Sequence, residues 1–314
     1  MVKVLITGGL GYLGRCVAEF LATRHYSVYV ASRACERPNN LQTNIHYVRM
    51  DWSDLHSINR ACEGMDYVIH AAGISSSDCF TCPVEAFRFN SLASILLLNS
   101  AIKNSVAKIF YFSTAHVYAS RLEGNITELS DISNLHPYAT SKFAAERAYL
   151  YEFHNRRIEG LVLRIPNVFG ISSSSSDVQW KLFVNDLCKQ AVNDSTLHIH
   201  SDSSTTRSFL PISAFLHQIE FCLERPYPQS LKTLPVLNLG LGSSLSLLDM
   251  AKIIQEIFES KTSRKTAIES FTSLKSPSFV YSSVHNFLPR LDPDLCLRAE
   301  ISSIIDYLLV HEPR

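Results

Sequence analysis

The chain reads as an α/β protein built on a doubly wound parallel sheet, with a smaller C-terminal lobe. Three observations predict this. A glycine-rich turn at residues 7–14 separates the first apolar run from the first amphipathic segment. Short apolar runs then alternate with helix-period segments as far as residue 165, which implies parallel strands with helices on both faces. Beyond residue 170 the alternation weakens, and serine-rich and loop-like stretches interrupt shorter helical patterns.

The elements follow in order. Residues 3–7 are an apolar strand and 15–24 an amphipathic helix. Strands are expected at 27–32 and 45–49, a short helix at 53–61 and a buried strand at 67–71. A long helix at 84–104, a strand at 108–113, a second long helix at 138–155 and a strand at 160–165 complete the alternation. Right-handed crossovers between such strands give a doubly wound sheet. Further on, helices are expected at 180–192, 213–223 and 247–259, with an extended segment at 197–200. The run Ser172 to Ser176 reads as a mobile loop, and 193–206 and 262–278 as loop-rich. There is no internal repeat.

Composition narrows the functional class. At 314 residues the chain is too long for one small core and suits a large domain with a smaller lobe. The 29 basic and 29 acidic residues cancel, and no charge block is long enough to suggest a nucleic-acid or membrane partner. No apolar stretch approaches the roughly 18 residues that span a bilayer. The N-terminus runs directly into a strand rather than a targeting signal, so a cytoplasmic location is expected. Of the eight cysteines only Cys79 and Cys82 are closely spaced. No second ligand pair accompanies them, so reduced thiols are expected rather than a metal or redox pair.

The glycine turn carries the first chemical signal. Gly8, Gly11 and Gly14 lie between a strand and a helix, where the backbone must turn tightly and approach a pyrophosphate. The helix behind the turn offers N–H groups and the positive end of its dipole. Dinucleotide binding follows from this strand–turn–helix context. At the end of the second strand, where an NAD site commonly places an acid about 20 residues beyond the glycines, the chain has Ser32 and Arg33. A serine hydroxyl and a guanidinium suit a 2′-phosphate, which favours NADP over NAD. Asp51 and Trp52 follow the third strand, and a carboxylate there suits an adenine amino group. Ala71, Ala72 and Gly73 end the fourth strand with small residues that admit a cofactor. Their neighbour His70 suits either a hydrogen-bonded structural role or a substrate contact.

Tyr138 and Lys142 carry the second signal. Four residues apart, they share one helix face. A lysine ammonium beside a phenol is expected to lower the phenol's pKa, so that it exchanges a proton while hydride moves to or from a nicotinamide. Upstream, Ser113 and Thr114 end a strand with hydroxyls able to bond the same substrate oxygen.

Taken together these motifs resemble the extended short-chain dehydrogenase/reductase family, also called the NAD-dependent epimerase/dehydratase family, over residues 2–251. Arg164 to Gly170 resembles its R-x-x-N-V-Y-G segment, Thr205 to Leu210 its T-R-D-F-I segment, and Asn238 to Gly240 its N-I-G segment. The resemblance implies a Rossmann fold, with residues 1–170 as the dinucleotide-binding domain, joined by later returning segments, and 171–314 mostly a substrate-binding lobe. It implies Tyr138 as acid/base, Lys142 as its partner at the nicotinamide ribose, and Thr114 on the substrate oxygen. It further implies Tyr12 and Leu13 at the pyrophosphate, Asn90 at the cofactor, and Asn167 and Arg207 at the diphosphate of a nucleotide-linked sugar. Helices 84–104 and 138–155 would form a homodimer interface. His116 stands where dehydratases of the family have a catalytic Glu and GDP-fucose synthases a catalytic Cys, which makes it a candidate second proton-transfer group or a substrate contact.

The chain also departs from the pattern. Ser208 replaces an acid, Ala214 and Phe215 replace an acidic pair, and the C-terminal segment lacks an L-G-W-x-P block. Ala115 and His116 replace the Asp–Glu pair of the dehydratases, which disfavours that reaction. Reduction of a 4-keto sugar by NADPH is the leading expectation, because Arg33 suits the consumed reductant. A 4-epimerase holding NAD tightly is the alternative. A non-catalytic NADP(H)-binding regulatory module is the alternative of another class, against which both Tyr138 and Lys142 are present.

Overall fold

The computed structural model of the chain describes residues 1–172, 178–194, 196–272 and 277–311. Two compact units divide it, each assembled from three stretches of sequence. The first comprises Met1–Ser120, Asp131–Ile165 and Glu224–Leu237, and the second Arg121–Ser130, Pro166–Leu223 and Asn238–Arg314.

The first unit is built on a seven-stranded sheet. Its strands are β1 (Val2–Thr7), β2 (Tyr26–Ser32), β3 (His46–Arg49), β4 (Tyr67–His70), β5 (Lys108–Thr114), β6 (Glu159–Ile165) and β7 (Val236–Asn238). They lie in the order β7-β6-β5-β4-β1-β2-β3. The pairings from β6 through to β3 are all parallel. The order reverses at β1, between β2 and β4, which creates the crevice at the strand carboxyl ends where ligands of such sheets bind. Val4, Leu5 and Ile6 of β1 and Leu161, Val162 and Leu163 of β6 are fully buried. Such continuous apolar strands are what a sheet covered on both faces requires.

Its helices are α1 (Tyr12–Ala22), α2 (Leu55–Cys62), α3 (Ser76–Thr81), α4 (Pro83–Ala86), α5 (Ser94–Lys103) and α6 (Pro137–His154). The apolar pattern at 84–104 predicts one continuous helix, but the chain forms α4, then a π-helical stretch at Phe87–Ala93, then α5. An i→i+5 turn lodges one extra residue without ending the helix, and the side-chain period hides it.

In the second unit short strands pair off. Asn167–Phe169 runs parallel to Phe209–Pro211, Thr196–His198 to Ala267–Glu269, and Gly124–Ile126 to Phe279–Tyr281. Thr206–Arg207 is antiparallel to Leu245–Ser246. Regular strands therefore occur at 196–198, 206–207 and 267–269, within stretches that read as loop-rich. The helices Phe183–Asn193, Leu247–Thr262 and Pro293–His311 pack together. The last, with Leu297, Ile301, Ile304, Ile305 and Leu308 buried, is absent from the sequence reading. Most of the serine run, residues 173–176, lies outside the described residues. Among the described residues no helix is long and apolar enough to cross a membrane.

Candidate active site

The glycine turn passes from β1 into α1 against the end of β4. Gly8 has φ +71°, and a Cβ there would lie 2.6 Å from the Ala72 nitrogen, so only glycine admits both the conformation and the approach. A Cβ at Gly14 would strike the Gly8 carbonyl oxygen. Gly11, whose N–H donates to Gly8 O at 2.9 Å, caps α1 without a side chain. Tyr12 and Leu13 open the helix half-buried, and its first turn carries no acid, the arrangement that suits an anion at a helix N-terminus.

Beside this turn is a cavity of about 310 Å³, lined among others by Gly8, Gly11, Ser32, Arg33, Trp52, Ala71, Ala72, Gly73 and Phe89. Arg33 is exposed at its rim, with its guanidinium 5.6 Å from the centre of the Phe89 ring. Ser32 accepts from Ala34 N at 3.4 Å. Asp51 is exposed and accepts from Ser53 N at 2.9 Å and Ser53 Oγ at 2.7 Å. Those hydrogen bonds hold its carboxyl below the ordinary range, with Arg49 and Arg33 adding to the effect. His70, for which two roles were open, is buried with both ring nitrogens engaged. Nδ1 is 2.6 Å from Thr7 Oγ1 and Nε2 is 2.8 Å from Ser94 Oγ. Burial, and then the charge of Lys142, keep it neutral, well below the ordinary histidine range. It ties β1 and β4 to α5.

Thr114, His116, Tyr138 and Lys142 come together at the end of β5. Tyr138 is the second residue of α6, and its phenol is hydrogen-bonded to the Thr114 hydroxyl. Thr114 Oγ1 also accepts from His116 N at 3.1 Å, capping a short turn. The exposed His116 ring stands edge-on to Tyr138, 6.4 Å between centroids at 67°. Lys142, only 4% exposed, donates from Nζ to Phe112 O at 3.1 Å and lies 5.2 Å from the Tyr111 ring centre. A Cβ on Gly73 would come within 2.9 Å of both Lys142 Nζ and Asn90 Oδ1, so these two groups converge at the end of β4.

The expected lowering of the Tyr138 pKa is not found. Burial raises the phenol to about 12, and the Thr114 hydrogen bond opposes this only in part. The Lys142 ammonium is spent on Phe112 O, and burial lowers its own pKa to about 8. Spacing put the two side chains on one face but could not say where the ammonium points.

Asn90, expected at the cofactor, is fully buried in the π-helical stretch, where it accepts from Ile74 N at 3.0 Å and donates to Ser141 Oγ at 3.2 Å and Cys79 Sγ at 3.4 Å. One residue of this neighbourhood was not singled out in the sequence. Glu146, one turn beyond Lys142, is fully buried and accepts from Arg164 Nη2 at 2.7 Å and from Ser113 Oγ. Arg164 Nη1 donates to the Tyr118 hydroxyl at 2.9 Å, and the carboxylate and the phenol hold the guanidinium charged despite its burial. The i, i+4, i+8 spacing of Tyr138, Lys142 and Glu146 was the available signal. Cys79 is buried and Cys82 exposed, both as free thiols, and no cluster able to hold a metal ion occurs among the described residues.

In the second unit, Asn167 donates from Nδ2 to Ser208 O at 3.0 Å, which ties its strand to the one beginning at Phe209. Arg207 is half-buried, burial lowers its pKa, and no carboxylate is paired with it among the described residues. A desolvated cation without a counter-charge is a ready anion partner.

Comparison with known proteins shows the fold and the family. The UDP-glucose 4-epimerase of Mycoplasma genitalium is 24% identical over 280 residues, covering 82% of this chain and 81% of that protein. The dTDP-D-glucose 4,6-dehydratase of Mus musculus is 26% identical over 279 residues, covering 84% and 75%. Among solved structures, MoeE5 in complex with UDP-glucose and NAD matches with a TM-score of 0.75 at 22% identity, covering 98% of this chain and 99% of that one. The UDP-glucuronic acid 4-epimerase of Bacillus cereus, in complex with UDP-glucuronic acid and NAD, matches with a TM-score of 0.77 at 20% identity, covering 98% and 100%. The model of the NAD dependent epimerase/dehydratase family matches residues 4–229, and the chain belongs to that family.

Proposed function

We propose that this protein is an NAD(P)-dependent enzyme that transfers hydride at a sugar carbon of a nucleotide-linked sugar, with reduction of a 4-keto sugar by NADPH as the leading reaction. The observation that carries the reading is the convergence of Thr114, Tyr138 and Lys142 at the end of β5, beside the glycine-lined cavity. The first unit would hold the cofactor and the second the substrate. The glycine turn fits a pyrophosphate, since Gly8 and Gly11 line the cavity and the first turn of α1 carries no acid. When bound, the nicotinamide supplies or accepts the hydride.

The chain's own residues do the rest. Tyr138, protonated at neutral pH because burial raises its pKa to about 12, is poised as a proton donor to the carbonyl oxygen. Thr114 hydrogen-bonds that phenol and can reach the same oxygen. Lys142, held at Phe112 O and converging with Asn90 on Gly73, would bond the nicotinamide ribose. His116, edge-on to Tyr138, would be a second proton-transfer group or a substrate contact. Asn167 and Arg207 would hold the diphosphate, Arg207 through a charge-assisted bond. Arg33, exposed at the cavity rim, favours NADPH. A 4-epimerase with tightly held NAD is the second reading, favoured by the similarity to UDP-glucose 4-epimerases.

The test is a panel of nucleotide sugars and their 4-keto forms with each cofactor, followed at the nicotinamide absorbance and by product analysis. NADPH consumption marks a reductase, and epimerised product without net cofactor turnover marks an epimerase. Tyr138→Phe should lower turnover by roughly 10²–10⁴-fold while cofactor still binds. Turnover near the parent rate in the folded variant would remove Tyr138 from the mechanism.

A further inference from the structure

We infer that His136 is a positioning residue for Tyr138, acting as an N-cap that exists only while its imidazole is neutral. This rests on the reading of Tyr138 just given. Helix caps are usually Ser, Thr, Asp or Asn; α6, which carries Tyr138 in its first turn, is capped by a histidine instead. Tyr138 N–H donates to His136 Nδ1 at 3.1 Å. A backbone amide can only donate, so Nδ1 bears no proton and the ring is the Nε2–H tautomer.

The cap is clamped from the other side. Asn134 Oδ1 accepts from His136 N at 3.0 Å, and Asn134 Nδ2 donates to His116 O at 2.7 Å. Ser133 Oγ and Asn134 N both donate to Tyr118 O at 3.1 Å. Residues 133–136 are thus laced to the turn that presents Thr114 and His116. The imidazole also stacks on Phe80 of α3, 6.0 Å between centroids at 21°. The cap therefore sets both the start of α6 and the approach of the Tyr138 phenol to Thr114.

Protonating Nδ1 would remove the acceptor and place a cation at the positive end of α6. The titratable groups in the first two turns of α6, in the turn at 115–117 and on and just after α3 are His116, Tyr138, Lys142, Asp78, Cys79 and Cys82. Asp78 is the one carboxylate among them, and its side chain accepts from Ser75 Oγ at 2.7 Å. A cationic His136 could not accept the Tyr138 N–H, and the alignment of Tyr138 would be lost with the cap.

The experiment has two arms on the full chain. Nitrogen NMR of imidazole-labelled protein at pH 8 reads the tautomer, and amide exchange reads protection of the Tyr138 N–H. The parent should show Nε2–H and a protected amide. His136→Ala should lose that protection and lose roughly 2- to 30-fold in kcat, the equivalent of one helix cap, with cofactor affinity unchanged. His136→Asn, which caps without titrating, should restore kcat and hold it to lower pH than the parent does. An Nδ1–H tautomer, a parent-like kcat and amide protection in His136→Ala, or superimposable pH profiles of parent and His136→Asn would each overturn the inference. If no nucleotide sugar is turned over, the reading of function fails, while tautomer and exchange still decide the cap.

Discussion

Lys142 brings a cation into surroundings that leave it 4% exposed, with Phe112 O as its hydrogen-bond acceptor. Its folded pKa of about 8, against an ordinary 10.5, means that the unfolded chain binds this proton more tightly than the folded one. Below about pH 8 both states are protonated and the full cost of burial is present. Between about pH 8 and 10.5 the folded state sheds the proton first, so stability rises with pH across that window. Relative to Lys142→Met, the parent should gain up to about 3 kcal/mol over the window. Urea unfolding of both proteins at pH 7 and pH 10 measures this, and a gap that does not change with pH would refute it. The residue type and spacing were legible in the sequence. The direction of each pKa shift was not, because it depends on burial and on which acceptor the ammonium meets.

Helix α6 is fastened to the sheet through its third turn. Glu146 pairs with Arg164 of β6, and Arg164 in turn bonds Tyr118, so one buried ion pair fixes the helix that carries Tyr138 and Lys142. Removing one partner of such a pair strands the other charge, at a cost of about 3–5 kcal/mol. Glu146→Gln should lose that much in denaturant unfolding, and the Glu146→Leu, Arg164→Met double variant should recover most of it. A loss under about 1 kcal/mol in the single variant would show that the pair does not behave as a buried one. The sequence placed Arg164 within a motif but could not pair it with Glu146, since neither local spacing nor periodicity links a helix to the following strand. The strands and helices of the first unit were legible because their periods are local. The π-helical stretch was not, because apolar spacing runs straight through it. Helix Pro293–His311 is a further element of the structure without a counterpart among the expected helices.

At the scale of the molecule, helices α4 to α6 keep apolar side chains in water. Val84 is 76% exposed, Leu92 55% and Tyr151 65%. We propose that this surface pairs two copies of the chain, since a stable interface of about 800 Å² per partner needs such an apolar centre. Sedimentation should show a dimer, and the paired change Leu92→Glu with Tyr151→Glu should yield a folded monomer. A monomeric parent would dispose of the idea. The doubly wound sheet itself was legible from strand–helix alternation. The makeup of the second unit was not, since its strand pairs join segments far apart in sequence, such as Gly124–Ile126 with Phe279–Tyr281. Because three stretches of each unit alternate, the chain passes between the units five times. This has a hereditary consequence. No single recombination breakpoint in the gene could hand the second unit intact to another protein, and no single truncation could release it. A change made within one stretch therefore reaches the second unit while the sheet stays in the same chain.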